Sequence, residues 1–112
     1  MPWLLRDGEV LASLEVASSW RQRLAGLTGR PGLEGALLVE RTRSVHTAGM
    51  RFAIDVAFLD GEHVVLRTVT MRPWRVTPPV WRSRHVLEAE AGAFATWGLA
   101  VGDRLEVKGD GA

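Results

Sequence analysis

The sequence predicts a mainly β fold: a compact jelly-roll-like β-sandwich or barrel with one short α-helix near residues 20–28. Three observations predict it. Six or seven short apolar runs follow one another, each bounded by turn-forming residues, as in small all-β architectures. Only one stretch joins helical spacing to a recognisable start and stop. A chain of 112 residues suits one domain, here 1–112, and buries only about two-thirds of its unfolded surface, so most Trp, Leu, Val and Phe side chains are needed as core.

In order, Trp3–Leu5 and Val10–Val16 flank Asp7-Gly8, a hairpin signal because Gly tolerates positive φ in the turn. Ser19 followed by Gln22 has the form of a capping box, and Trp20, Leu24 and Leu27 fall at helical spacing until Gly29 and Pro31. Ala36–Val39 is a strand candidate, and Arg41–Met50 is less regular. In Phe52–Leu59 the residues Phe52, Ile54, Val56 and Phe58 share one strand face, with Asp55 on the other. Asp60-Gly61 turns the chain into Val64–Met71. Arg72–Arg84 reads as a long loop, because Pro73, Pro78 and Pro79 bar central strand positions, and loops of that length are often functional. His85–Ala91 is a strand, Phe94–Gly98 a helical turn and Arg104–Val107 the last strand, with Gly102-Asp103 as the turn before it.

Hydrophobic residues make up 46% of the chain and charged residues 24%, an ordinary globular balance. The absence of cysteine excludes disulfides, zinc ribbons and thiol catalysis. No apolar run approaches the ~18–20 residues of a membrane helix, and no charged-then-apolar leader opens the sequence, so the expectation is a cytoplasmic protein with no membrane partner. The net charge of +1 argues against a dedicated nucleic-acid coat. Charge is nonetheless uneven: residues 41–84 hold eight Arg against Asp55, Asp60 and Glu62. That block is the electrostatic hint of an anionic partner, since Arg presents a planar fork to carboxylates and phosphates.

Three segments carry a family pattern. The first is Arg21-x-Arg23-Leu24-x-Gly26-Leu27-x-Gly29-Arg30. The second runs from Val45-His46-Thr47-Ala48-Gly49-Met50 through Arg51-Phe52-Ala53-Ile54-Asp55 to Asp60. The third is Val86-Leu87-Glu88 with Ala91-Gly92 and Gly102-Asp103. Together, over about residues 10–107, they resemble domain-of-unknown-function family 192, a widespread bacterial and archaeal family. The resemblance implies a small mainly β fold with one short helix and carries no activity, cofactor or partner. Two positions depart from the pattern: Ala48 stands where an aromatic is common and Ala53 where proline is common. Both trim the segment beside Met50 and would widen a pocket walled by it.

Candidate chemistry centres on few residues. Asp55 lies in an apolar strand, where a buried carboxylate needs a charged or hydrogen-bonded partner; Arg51 and His46 are near in sequence. It reads as a structural acid, or as a general base or ligand anchor. Glu88 has the same character and shares a side with Val86 and Glu90; converging with Asp55 it would form an acid–base pair. His46 can hold a proton near neutral pH, but no metal-ligand spacing accompanies it, and no metal or cofactor is expected. Trp74 and Arg75, with Trp81, Arg82 and Arg84, flank the proline loop; the rings either stack a ligand or plug the end of the sheet with Arg above them. Arg41 and Arg43 would extend a positive rim if the loops meet.

The reading that follows is a non-catalytic domain for a small anionic or polar ligand, a carbohydrate among the candidates. Its walls are His46, Met50, Arg51, Asp55, Trp74, Arg75 and Glu88. A small hydrolase or lyase using His46 with Asp55 or Glu88 is the second reading. A module that docks nucleic acid or an acidic protein on the Arg-rich block is the third. The sequence assigns no oligomeric state.

Overall fold

A computed structural model describes residues 2–109. The strands are β1 (Trp3–Arg6), β2 (Glu9–Ala17), β3 (Ala36–Glu40), β4 (Ile54–Leu59), β5 (Val65–Met71), β6 (His85–Glu90) and β7 (Glu106–Lys108), and the helices α1 (Trp20–Ala25) and α2 (Ala93–Trp97). They form one mixed seven-stranded sheet in the order β5-β4-β6-β3-β2-β1-β7. The expected mainly β fold is therefore present, as one mixed sheet that curls without closing into a barrel. A lone bridge, Val64 with Arg104, links the approach to β7 with the approach to β5.

Local chemistry explains the first elements. Asp7 and Gly8 both adopt positive φ, 52° and 77°, and Arg6 pairs with Glu9, which is the geometry of a two-residue hairpin loop. β2 and β3 are parallel, so the chain must cross over between them, and residues 18–35 with α1 supply that crossover. The capping box is formed: the Ser19 hydroxyl accepts from the Gln22 amide, and the Ser19 amide donates to Gln22 Oε1. The helix stops at Gly26, φ 48°, three residues before the expected Gly29, because Gly26 takes a backbone conformation that ends the turn.

β4 is buried along its whole length, because both sheet faces are covered. Ile54, Val56 and Phe58 join Leu37, Val39 and Val86 in one core, over which the segments around Leu27, Leu33, Val45 and Met50 lie. Ala57 and Leu59 join Leu4, Leu14, Leu38, Leu87 and Leu105 in the second, inside the curl of the sheet. Phe94 of α2 closes this second core beside Trp97, with ring centroids 5.6 Å apart. Arg6 clamps that corner, donating to the carbonyls of Trp97 and Gly98 and to Asp103 Oδ2 at 2.9 Å. As expected, residues 72–84 form no strand or helix. No helix among the described residues is long and apolar enough to cross a membrane.

Candidate functional site

Strand parity sorts the two carboxylates. Asp55 pairs with Ala89 and shares its face with the second core, whereas Glu88 pairs with Val56 and shares its face with the first. They lie on opposite sides of the sheet, so the acid–base pair considered from the sequence does not form. Asp55 is buried and fully occupied. Oδ1 accepts from the Thr70 hydroxyl at 2.7 Å, and Oδ2 accepts from the amides of Gly92 and Phe94 at 2.9 and 3.1 Å. The carboxylate caps the start of α2, and its partners are a hydroxyl and two amides; Arg51 stands exposed elsewhere.

Glu88 is the opposite case. It is 7% exposed, and no described residue gives it a hydrogen bond or an ion pair. Burial alone pushes its carboxyl up to about 7. It lines a small cavity of about 50 Å³ roofed by α1 and the residues after it, with Arg23, Leu24 and Gly26 on that side. Val39, Val45 and Met50 supply apolar wall, and Thr42, Ser44 and His46 polar wall. Three of the expected residues, His46, Met50 and Glu88, thus meet here. The His46 ring accepts from the Ala48 amide through Nδ1 at 3.3 Å and makes no hydrogen bond to Glu88. No acid orients it as a general base.

The segment holding His46 is locked to the long loop. Thr47 is completely buried. Its hydroxyl donates to the Arg72 carbonyl at 2.7 Å and accepts from the Arg75 amide at 2.8 Å. Its own amide donates to the Arg75 carbonyl, and its carbonyl accepts from the amides of Trp74 and Met50. His46 and Val76 form an antiparallel bridge, and Val45 and Thr77 exchange two further bonds. Sequence reasoning passed over Thr47; a lone threonine between two singled-out residues gave no sign that it would hold a loop 25 residues away.

Beyond that latch the loop and the edge strand β5 enclose a larger cleft of about 450 Å³. Its floor is apolar, from Phe58, Val69, Met71, Val76 and Val80, and Arg67, Arg72 and Arg75 stand on its rim. No acidic residue lines it. Among the described residues the guanidiniums of Arg67 and Arg72 make no hydrogen bond or ion pair, and that of Arg75 reaches only the carbonyls of Pro73 and Trp74. Trp74 (69% exposed) and Trp81 (74% exposed) do not plug the sheet, and neither has an Arg stacked on it. The loop turns them outward, Trp74 at a positive φ of 62°. Trp74 adjoins the cleft but does not line it.

Three other Arg residues of the middle block are engaged as straps. Arg41 donates to the Ser18 carbonyl, Arg43 to the Ser83 carbonyl, and Arg84 to those of Trp81 and Ser83. They border a third cleft with His85, whose imidazole is pushed down by burial and then by His63, its ring 5.2 Å away. The positive rim anticipated from the sequence is therefore split: Arg41, Arg43 and Arg84 act as straps beside the third cleft, and Arg72 and Arg75 stand with Arg67 on the larger one. No group of three His, Cys, Asp or Glu side chains among the described residues is placed to hold a metal ion.

Comparison with known proteins agrees on fold and family. A protein of unknown function from Novosphingobium aromaticivorans superposes with a TM-score of 0.78 at 18% identity, over 94% of this chain and 82% of its own. A candidate transcription regulator from Sinorhizobium meliloti gives 0.76 at 23% identity, over 95% and 91%. At these identities the likeness is one of fold. Among curated relatives, UPF0127 proteins of Pyrococcus abyssi and Pyrococcus furiosus are 36% and 38% identical over 63 residues, or 56% of this chain. The match spans about half, 54%, of each of those two relatives. A third, from Pyrococcus horikoshii, is 33% identical over 105 residues, covering 89% of this chain and 88% of the relative. The family profile described as Uncharacterized ACR matches residues 4–107, nearly the whole described chain, and the protein belongs to domain-of-unknown-function family 192.

Proposed function

We propose that the protein is a binding domain for a small anionic ligand, held in the cleft between β5 and the 72–80 loop. The observation that carries this reading is the pairing of an apolar floor with three rim guanidiniums and no lining acid. A volume of about 450 Å³ lies within the range of ligand pockets, roughly 300–1,000 Å³, in which apolar walls supply affinity and a few polar groups fix orientation. The floor suits an apolar body better than a bare sugar, and Arg67, Arg72 and Arg75 suit a carboxylate or phosphate head. The Thr47 latch keeps Arg72 and Arg75 in place before the ligand arrives, which lowers the ordering cost of binding.

A thermal-shift screen of organic acids, acyl phosphates, sugar phosphates and nucleotides tests it. A ligand that binds only the folded state raises the melting temperature by mass action. The expected hit has an apolar body and one anionic head, and weakens about fivefold in Arg72→Ala or Arg75→Ala, as for a rim-exposed charge contact of ~1 kcal/mol. A hit that ignores both substitutions, or an absence of hits across all these classes, would refute the assignment of the cleft.

A further inference from the structure

The cavity under α1 is separate from that cleft and presents a different problem. Position 88 lies in an apolar neighbourhood, with Leu37 and Val56 as its cross-strand neighbours on the same sheet face. An apolar side chain there would extend the core. The chain instead places there a carboxyl that no described residue donates to, on a side chain 7% exposed whose oxygens still touch solvent. Arg23, on the roof of the same cavity, is only partly exposed, and its guanidinium also has no ion pair or hydrogen bond among the described residues. The two opposite charges share one cavity without pairing: no Arg23–Glu88 contact falls within ion-pair distance.

We infer that this cavity is a second binding site, for a small zwitterion whose ammonium group meets Glu88 and whose carboxylate meets Arg23. A lone cation would satisfy Glu88 and be repelled by Arg23. A lone anion would satisfy Arg23 and be repelled by an ionised Glu88. A molecule with both charges a few bonds apart answers both. A water occupies about 30 Å³ of liquid, so 50 Å³ takes one compact head such as a methylene-ammonium, with the carboxylate left at the mouth beside Arg23. Thr42 and Ser44 offer hydroxyl acceptors for the remaining ammonium protons. Leu27, Val39 and Met50 exclude a larger body.

The binding carries a pH signature. Ammonium binding requires the carboxylate form of Glu88, and desolvation holds that group protonated up to about pH 7. The ligand therefore displaces a proton below that pH, and affinity rises about tenfold per unit up to about 7 and levels off above it. The other ionisable groups on the cavity are Arg23 from α1 and His46 from the 45–50 segment; β3 contributes only Val39.

NMR titration of the intact protein at pH 8 with glycine and β-alanine, against acetate and methylammonium, tests the inference. The expected result is saturable shifts at Val39 and Met50 with a zwitterion, and at least tenfold weaker binding of each half-molecule. Glu88→Gln, which keeps the shape and removes the charge, should weaken the zwitterion at least tenfold and abolish the pH dependence. Arg23→Gln should weaken the zwitterion and leave methylammonium unchanged. Absence of shifts at 100 mM ligand, equal binding of acetate or methylammonium, or unchanged binding in Glu88→Gln would each overturn the proposal. Since Arg67, Arg72 and Arg75 do not touch this cavity, their substitution leaves these titrations unaffected whatever the fate of the larger cleft.

Discussion

Replacing Asp55 by Ala should be among the most damaging single changes in this chain, and replacing it by Asn among the mildest at a buried charge. Ala strands three donors at once, the Thr70 hydroxyl and the amides of Gly92 and Phe94. Thr70 is exposed and can turn to water, but the Phe94 bond is buried. With one buried amide and one partly buried amide left unpaired, and a charge-assisted interaction lost, the cost is about 3–5 kcal/mol. Asn behaves differently because the two carboxylate oxygens do different work. Its oxygen can take the place of Oδ2 and accept both amides. Its NH₂ group then faces the Thr70 hydroxyl, which can rotate to accept. Only charge assistance is lost, about 1 kcal/mol. An entropy of unfolding near 2.1 cal/mol/K per residue gives about 4 °C per kcal/mol for a chain of this length. The Tm should thus fall by roughly 12–20 °C for Asp55→Ala and about 4 °C for Asp55→Asn. Calorimetry with guanidinium titration measures both, and hydrogen exchange at Phe94 reports the lost cap. The reasoning fails if Asp55→Ala costs less than ~1 kcal/mol, or if Asn is as damaging as Ala.

Three further outcomes follow from single sites. Glu88 holds its proton up to about pH 7 when folded, against 4.5 ordinarily, so the folded state retains a proton that the unfolded chain has already released. Stability should be greatest below pH 4.5 with respect to this group, fall by about 3 kcal/mol in total as pH rises through 7, and level off above it. Glu88→Gln should flatten that slope in guanidinium titrations between pH 5 and 8; a slope that survives the substitution refutes the assignment. Thr47→Val keeps volume but removes the hydroxyl between Arg72 and Arg75, at about 1–3 kcal/mol, and should speed hydrogen exchange at the Arg75 amide; an unchanged exchange rate would show that the loop is held by other means. Gly35 has φ 78°, and an added Cβ would lie 2.4 Å from the Ser13 carbonyl oxygen. Gly35→Ala should cost about 2–4 kcal/mol in chemical denaturation, from backbone strain together with the clash, and a loss under ~0.5 kcal/mol would contradict it.

Local devices were legible in the sequence because their partners are sequence neighbours. The Asp7-Gly8 hairpin and the Ser19–Gln22 capping box are each closed within four residues, and the alternation of Ile54, Val56 and Phe58 is set by backbone geometry alone. The end of α1 was misplaced because Leu27 continues the helical spacing after the backbone has already turned at Gly26; Leu27 is buried from a loop. The number of sheets was not legible either. Strand runs reveal their periodicity but not their partners, and the parallel β2–β3 pairing that joins the hairpin to the rest is made after an 18-residue crossover.

The site was legible in part, and the difference between Asp55 and Glu88 shows where sequence stopped. Both are lone acids in apolar strands, and nothing in their neighbours separates them. Register does: pairing Val56 with Glu88 puts odd positions of β4 and even positions of β6 on opposite faces. One acid then meets the start of α2 and the other meets nothing. Arg23 stood in the first family segment with nothing to connect it to Glu88, since their shared cavity is made by the fold and not along the chain.

The 45–47 segment lines the small cavity through Val45 and His46 and latches the loop of the larger cleft through Thr47, and the elements that cover the two sites are held differently. The 72–80 loop lacks regular structure, yet it is tied by a bridge at Val76 and by both faces of Thr47 and Thr77. α1 has regular structure, yet none of its residues is buried, and Trp20 and Leu24 are 64% and 65% exposed. Its stability rests on the capping box and a single turn of backbone bonds, too little for a six-residue helix to stand alone. Regularity and anchoring are thus inverted in this fold: the loop is the fixed element and the helix the weakly held one. For the two proposed sites this means that α1, beside Glu88, has few contacts to break, whereas Arg72 and Arg75 stand on a loop already set.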